Sequence, residues 1–194
     1  MIGLSNMLLR PFNLALLAVS GSALAFMLAG VNLGVVFNYT HSAPFGLYIK
    51  IPNPGKTAHD TGPYVFFCPD IRWPSLRGQP NYRSPMWTCP DGFSPLIKPV
   101  VAWPGDTVET TPTGLKVNGS LVQHTVPLDH DSKGQSIRPY PYGTYRVQQG
   151  QLWTVSAFSP RSFDSRYFGP IPLRSVRLWI RPLLVEKKYH PEAQ

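Results

Sequence analysis

The chain has 194 residues, of which 14% are charged and 22 are proline, and its formal net charge is +8. The prolines argue against a helical bundle, because each one removes a backbone donor and disrupts the preceding helical turn. The positive charges are scattered without a basic cluster or a nucleic-acid motif, so we favour either contact with anionic lipid or no role for the charge over binding to nucleic acid. The composition therefore predicts one β-rich domain with room for a short membrane anchor.

The N-terminal part predicts a membrane anchor. Residues 1–13 read as a short tail in which Arg10 is the only charged side chain, and residues 14–37 carry no charge at all. As a helix this apolar run would be about 36 Å long, enough to cross a hydrocarbon core of about 30 Å. A cleaved signal peptide is the alternative, because Arg10 before an apolar run fits that pattern. We favour a retained anchor, because the run is longer than a usual signal-peptide core.

The stretch NYTHSAPFGLYIKIP, residues 38–52, follows this run directly. Its alternation predicts an extended segment at the membrane surface that carries Ser42 as a candidate nucleophile. In a strand, Thr40 and Ser42 would share one face. His41 would point to the other face, which makes it a poor base for Ser42.

The rest of the chain reads as one all-β domain, residues 38–185. The pair Asn118-Gly119 between alternating apolar residues predicts a type I′ hairpin. Residues 70–95 have no clear hydrophobic period, which predicts a long loop or lid. Residues 186–194 are predicted to form a frayed tail. Further strands are predicted at 63–69, 96–109 with a turn at Pro104–Asp106, 115–122, 144–158 and 175–185, with loops at 123–143 and 159–172.

Neither the cysteines nor the histidines predict a metal or cofactor site. Cys68 and Cys89 lack the spacing of zinc ligands. They fit either one disulfide in an oxidising compartment or two buried thiols, and the sequence leaves both open. The segment 124–131 holds two histidines and two aspartates, for which a solvated loop is favoured over a weak metal site.

Lys98 is a candidate general base, because it stands between Leu96-Ile97 and Pro99-Val100-Val101. Burial would lower the pKa of its amine, and a neutral amine can take the proton of a serine hydroxyl. The alternative is an edge-strand lysine whose head reaches water. The local sequence by itself favours this alternative.

Three blocks in order give the chain a family resemblance. They are NYTHSAPFGLY at 38–48, IKPVVAWPGD at 97–106 and SFDSRYFGPIP at 162–172. Together they resemble membrane-bound signal peptidases with a Ser/Lys dyad, specifically the conjugative-transfer (TraF) type. The resemblance implies a signal-peptidase-like β catalytic domain preceded by one N-terminal transmembrane helix.

The resemblance also implies residue roles. Ser42 would be the acylating nucleophile, Lys98 its general base, and Ser162 the residue that orients the lysine amine. The oxyanion hole would use the Ser42 backbone N–H and the Thr40 hydroxyl.

Asp164 and Arg166 would form an ion pair that holds the third block, and a weaker hypothesis has Asp164 activating an incoming amine. Housekeeping signal peptidases usually have Ser-Met at the nucleophile, where this chain has Ser42-Ala43. They usually have Gly-Asp-Asn before the third block, where residues 156–158 read Ser-Ala-Phe. Both departures point to the conjugative subgroup.

That subgroup is implied to mature the pilin precursor of a conjugative pilus, and in some systems to join the pilin ends into a ring. The implied location is the bacterial inner membrane, with the catalytic domain in the periplasm. The implied partners are the pilin precursor, membrane lipid and the transfer machinery. The alternatives are a general type I signal peptidase and a non-catalytic component of the transfer apparatus. A LexA-like self-cleaving peptidase shares the dyad, but nothing here resembles its DNA-binding half.

Overall fold

The computed structural model describes residues 16–22, 34–57, 63–70 and 72–187. Most of them belong to strands and the turns between strands, as the composition predicts. The strands are β1 Val35–Asn38, β2 Gly46–Ile51, β3 Tyr64–Phe67, β4 Leu96–Ala102, β5 Thr107–Thr111, β6 Gly114–Val117, β7 Ser120–Val122, β8 Gly143–Arg146, β9 Gln151–Thr154, β10 Ile171–Pro172 and β11 Val176–Val185. The helical elements are residues 16–22, the 3-10 turns Gly55–Thr57, Pro74–Leu76 and Leu173–Ser175, and the four-residue helix Ser165–Phe168.

These strands form two antiparallel sheets. The larger has the order β1-β2-β11-β3-β4-β9-β10, and the smaller has the order β7-β6-β5-β8. The predicted hairpin at Asn118-Gly119 is confirmed as the two-residue link between β6 and β7. Both residues have positive φ, 50° and 82°, as a type I′ turn requires.

Strand β9 places side chains in two cores, because successive residues of a strand point to opposite faces. Leu152 packs with Val65, Phe67 and other residues of the larger sheet. Trp153 packs in the second cluster, which includes Ala102 of β4 and Val108 of β5. Strand β4 pairs with β3 and β9 and is therefore an interior strand of the larger sheet.

The 70–95 segment is a long loop, as predicted, and a disulfide closes it. Cys68 and Cys89 are bonded to each other, which decides between the two alternatives that the sequence left open. A cross-link over a loop of this length stabilises a fold by about 3 kcal/mol in the chain-entropy account. Inside the loop, Arg83 forms a largely buried ion pair with Asp91. The loop is therefore folded on itself and tied to the end of β3.

The structure agrees with only part of the helix predicted for the anchor at 14–37. Residues 16–22 are helical, whereas Val35–Phe37 belong to strand β1, so the predicted helix is wrong at its C-terminal end. Residues 14–15 and 23–33 of the span, the 1–13 tail and residues 188–194 lie outside the described residues. No helix within the described ranges combines the length and apolar character needed to cross a bilayer.

Two further local predictions are corrected. Residues 39–45 form the turn between β1 and β2 instead of continuing a strand, because Pro44 and the hydrogen bonds of Asn38 bend the chain there. The segment 159–172, predicted as a loop throughout, contains the helix Ser165–Phe168 and strand β10. A four-residue helix is too short to give a periodic sequence signal.

Candidate active site

Lys98 lies in the interior of the larger sheet. Strand β4 is paired with β3 on one side and β9 on the other. The lysine is 1% exposed, and its amine donates a hydrogen bond of 2.8 Å to the Ser162 hydroxyl. The edge-strand alternative is therefore wrong, and the Lys98–Ser162 partnership implied by the resemblance is present.

Burial changes the proton affinity of this lysine. Removal from water lowers the pKa of the Lys98 amine from 10.5 to about 8, because the ammonium form loses its hydration. The negative charge of Asp164 opposes this change, and the positive charge of Arg166 adds to it. A pKa near 8 gives a neutral fraction large enough for a general base near physiological pH.

Asp164 and Arg166 form the predicted ion pair, and it is buried. The Arg166 Nε lies 2.9 Å from the Asp164 carboxylate, and the side chains are 2% and 0% exposed. Arg166 also donates to the backbone carbonyl of Ser162 at 2.7 Å and to that of Pro160 at 2.8 Å. The pair thus fixes the backbone of the residue that binds the lysine amine.

Asp164 is fully occupied by these contacts. Its oxygens accept bonds from the Arg166 side chain, the Arg166 backbone N–H at 3.1 Å and the Ser156 backbone N–H at 3.1 Å. The carboxylate does not reach solvent. This geometry disagrees with the suggestion that Asp164 activates an incoming amine and gives it a structural role.

The helix Ser165–Phe168 is anchored at both ends. Asp164 caps it by accepting the Arg166 N–H, and Ser165 Oγ accepts the Thr154 N–H of β9 at 3.0 Å. Gly169 ends it with a φ of 72°, and a Cβ there would lie 2.3 Å from the Tyr140 ring, so the position requires glycine. The third sequence block is therefore locked to the sheet that carries Lys98.

Ser42 lies in the turn between β1 and β2 and is partly exposed. Its hydroxyl is 3.3 Å from the Thr40 hydroxyl. The predicted proximity of the Thr40 and Ser42 side chains is present. The turn brings them together, so the explanation by strand alternation is wrong.

Asn38 holds this turn, and sequence reasoning missed it. Its buried side-chain amide lies within 2.9–3.0 Å of the carbonyl oxygens of Thr40, Ala43 and Pro44. Its Oδ1 accepts the Thr40 N–H at 3.1 Å and the Thr40 hydroxyl at 2.8 Å. The available signal was an asparagine directly after an apolar run and before a turn, a position where its amide bonds nearby backbone.

The donors near Ser42 are partly available for an oxyanion. The Ser42 backbone N–H has no acceptor among the residues that the structure describes. A threonine hydroxyl carries a single proton, and that of Thr40 is directed to Asn38. Ser42 N–H is therefore ready to donate, whereas Thr40 would have to rotate.

Ser42 and Lys98 line one cleft of about 1040 Å³. The β1–β2 turn forms one wall, and the disulfide loop with residues 128–137 forms the other. Tyr82 joins the two parts of that second wall by donating to Asp131 at 3.0 Å. Within the described ranges no hydrogen bond links Ser42 to Lys98, since Ser42 Oγ is close to Thr40 and the lysine amine binds Ser162.

His41 also lines this cleft, so the strand argument against it is wrong. It is exposed, whereas Lys98 is buried. The described part of the chain holds no group of three or more His, Cys, Asp or Glu placed to bind a metal ion.

Comparisons with known proteins identify the family of this chain. The profile of the family described as "Signal peptidase, peptidase S26" matches residues 11–177. A plasmid transfer protein TraF of Escherichia coli is 34% identical over 170 residues, covering 86% of this chain and 93% of that protein. A conjugal transfer protein TraF of Agrobacterium fabrum is 35% identical over 183 residues, covering 90% of this chain and 94% of that protein.

A solved signal peptidase I of Enterococcus faecalis V583 is 22% identical, with a TM-score of 0.35, over 66% of this chain and 97% of that one. A TM-score this low carries no argument about the fold. The profile, by contrast, spans most of the chain, and both TraF proteins exceed 30% identity over nearly their full length. The chain therefore belongs to the S26 family of signal peptidases and is of the TraF type.

Proposed function

We propose that this chain is a membrane-bound serine endopeptidase in which Ser42 is the nucleophile and Lys98 the general base. The supporting observation is the state of Lys98. It is buried in the sheet, its pKa is lowered to about 8, and its amine is held by Ser162 in the cleft that also contains Ser42. A lysine placed only for stability would have its ammonium paired or in water.

The chemistry follows from these positions. Ser42 Oγ attacks the peptide carbonyl carbon, and its proton passes to Lys98 Nζ. The Ser42 N–H donates to the oxyanion, a contact that is typically worth about 3 kcal/mol in the transition state. The Lys98 ammonium then protonates the leaving amine, and the neutral lysine activates the water or amine that resolves the acyl-enzyme. Before attack, Ser42 Oγ must turn from Thr40 toward Lys98.

The proposed substrate is the pilin precursor of a conjugative transfer system. The near-full-length similarity to TraF proteins supports this choice. Strand β1 lies at an edge of its sheet and lines the cleft, so an extended peptide can pair with it as an added strand. We place the enzyme in the inner membrane with its domain in the periplasm, which protease accessibility in spheroplasts would test.

The test is processing of the pilin precursor by Ser42→Ala and Lys98→Ala. Each should reduce processing by about 10³-fold or more, because neither partner alone activates the hydroxyl. Lys116→Met, which breaks the half-exposed pair with Glu109, is the control and should process normally. Circular dichroism should show that Ser42→Ala folds. Full processing by Ser42→Ala would contradict the proposal and favour a non-catalytic role in the transfer apparatus.

The mass of the product distinguishes hydrolysis of the acyl-enzyme from cyclisation of the pilin. We propose that the acyl-enzyme is resolved by the pilin's own amine, since a tethered amine has a high effective concentration. A ring-closed product is lighter by one water than the linear chain of the same residues, so mass spectrometry distinguishes it from hydrolysis. Cleavage of unrelated secretory precursors at similar rates would instead indicate a general type I signal peptidase.

A further inference from the structure

Arg161 lines the cleft beside the candidate catalytic residues. It directly precedes Ser162, whose hydroxyl binds the Lys98 amine. Its side chain is partly buried, and its Nε is a buried donor with no hydrogen-bond partner in the part of the chain that the structure describes. Sequence reasoning did not single out this residue, because nothing local distinguishes it from a surface arginine.

The other buried arginines are paired inside the protein. Arg83 binds Asp91, and Arg166 binds Asp164. A buried donor without a partner is unfavourable, and native proteins keep few of them. A guanidinium that faces an open cleft can be satisfied by a ligand, and its planar donors match a carboxylate.

The carboxylate that lines the cleft, that of Asp131, already accepts hydrogen bonds from other residues. Asp131 accepts the backbone N–H groups of Lys133 and Gln135, each at 2.8 Å, and the Tyr82 hydroxyl at 3.0 Å. The basic groups that line the cleft besides Arg161 are the cation of Lys133, the amine of Lys98 and the imidazole of His41, and its tyrosines are Tyr39, Tyr82 and Tyr167. The formal charge along the cleft is therefore positive on balance, which favours an acidic group in the bound peptide.

We propose that Arg161 is a specificity residue that pairs with a carboxylate of the bound peptide. The inference rests on the proposed endopeptidase function and names its substrate class as a peptide with an acidic group close to the scissile bond. The carboxylate can come from an Asp or Glu side chain or from the C-terminus of the peptide. Because Arg161 adjoins Ser162, the acidic group lies within a few residues of the bond that is attacked.

The experiment measures binding separately from cleavage. Fluorescent peptides spanning the site that the full-length enzyme cuts in its pilin precursor are titrated onto the Ser42→Ala enzyme, and anisotropy gives Kd. One peptide keeps its acidic side chains, one has them as the amides Asn and Gln, and one has an amidated C-terminus. The loss of affinity identifies which carboxylate is bound. If the precursor is not cut, the same three forms of its periplasmic segments serve as probes.

We expect amidation of the responsible carboxylate to weaken binding by about 10-fold to 100-fold. Arg161→Gln in the Ser42→Ala background should weaken binding of the acidic peptide to the level of the amide peptide. The Kd of the amide peptide should stay unchanged. Arg161→Lys should restore part of the difference in affinity between the acidic and amide peptides, since lysine keeps the positive charge but lacks the planar pair of guanidinium donors. Arg146→Gln, an exposed arginine of β8 outside the cleft, is the matched control and should change nothing.

In the active enzyme, Arg161→Gln should raise KM for the acidic peptide and leave kcat nearly unchanged. Equal affinity of the acidic and amide peptides for the Ser42→Ala enzyme would overturn the inference, and this arm needs no change at Arg161. Absence of cleavage together with a charge-dependent Kd would overturn the proposed function and leave the role of Arg161 supported.

Discussion

The two halves of the candidate site differ in how the fold holds them. Lys98 and Ser162 lie inside the larger sheet, where the amine, the hydroxyl and the buried Asp164–Arg166 pair form one bonded group. Ser42 lies on the turn of the hairpin at the sheet edge, and this partly exposed turn is held by side-chain hydrogen bonds of Asn38, Tyr48 and Glu186. The proposed base is part of the core, whereas the proposed nucleophile is attached to the edge of the core.

This difference bears on the proposed Ser42–Lys98 dyad, whose two side chains share no hydrogen bond among the described residues. Moving the proposed base would break its buried hydrogen bond to Ser162, so we propose that the contact between Ser42 and Lys98 is completed on the nucleophile side. Catalytic hydrogen bonds are often long in free enzymes and tighten when substrate binds. A peptide that pairs with β1 would act directly on the hairpin that carries Ser42.

The strongest test of the comparison is Arg166→Ala. It would leave the fully buried Asp164 carboxylate without its partner, so we expect the free energy of unfolding to fall by about 3–5 kcal/mol. Urea unfolding followed by tryptophan fluorescence measures this change. Lys116→Ala, at a half-exposed ion pair, should cost less than about 1 kcal/mol. Equal stability of the two variants would show that the base half is not held by this pair.

Asn38→Ala tests the nucleophile half. Removing the amide takes the donor from the carbonyl of the buried residue Ala43, so stability should fall by about 1–3 kcal/mol and kcat/KM should fall with it because the turn loosens. Asn53→Ala, which removes an exposed bond to the Gly55 N–H, is the matched control. Normal kcat/KM in Asn38→Ala would mean that the turn is positioned by other contacts.

Ser162→Ala tests the link between Lys98 and its support. It removes the acceptor of the lysine amine, so kcat should fall by about 10-fold to 100-fold as the amine loses its orientation. KM should change little, because Ser162 is absent from the lining of the cleft. Ser120→Ala, on the exposed strand β7, is the control. An increase in KM without a loss in kcat would assign Ser162 to substrate binding.

The pH profile tests the proposed base without any substitution. In the proposed mechanism the neutral amine of Lys98 is the active form, and its pKa is lowered to about 8. Activity should therefore rise about tenfold per pH unit below pH 8 and level off above it. Measuring kcat/KM from about pH 6 to pH 10 checks the sign. A rate that falls as pH rises through 8 would contradict the role of Lys98 as base.

Much of the fold was readable from the sequence because it depends on local chemistry. The Asn118-Gly119 turn follows from residues that tolerate positive φ, and the strands follow from short apolar runs between turns. The resemblance, carried by three ordered blocks, implied the Lys98–Ser162 contact and the Asp164–Arg166 pair. The Lys98–Ser162 contact was accessible only through the blocks, since its partners are 64 residues apart in the chain.

The sequence by itself determined a β-rich domain, the hairpin, and the identity of the polar residues that stand in apolar or turn-rich surroundings. Only the tertiary structure decided which of these residues are buried. Local sequence favoured an exposed Lys98, yet the folded chain buries its side chain to 1% exposure, and this burial lowers its pKa. Only the tertiary structure likewise showed that the buried Asn38 amide binds the β1–β2 turn and that Arg161 lines the cleft. Burial and pairing depend on which segments become neighbours, and that is a property of the whole chain.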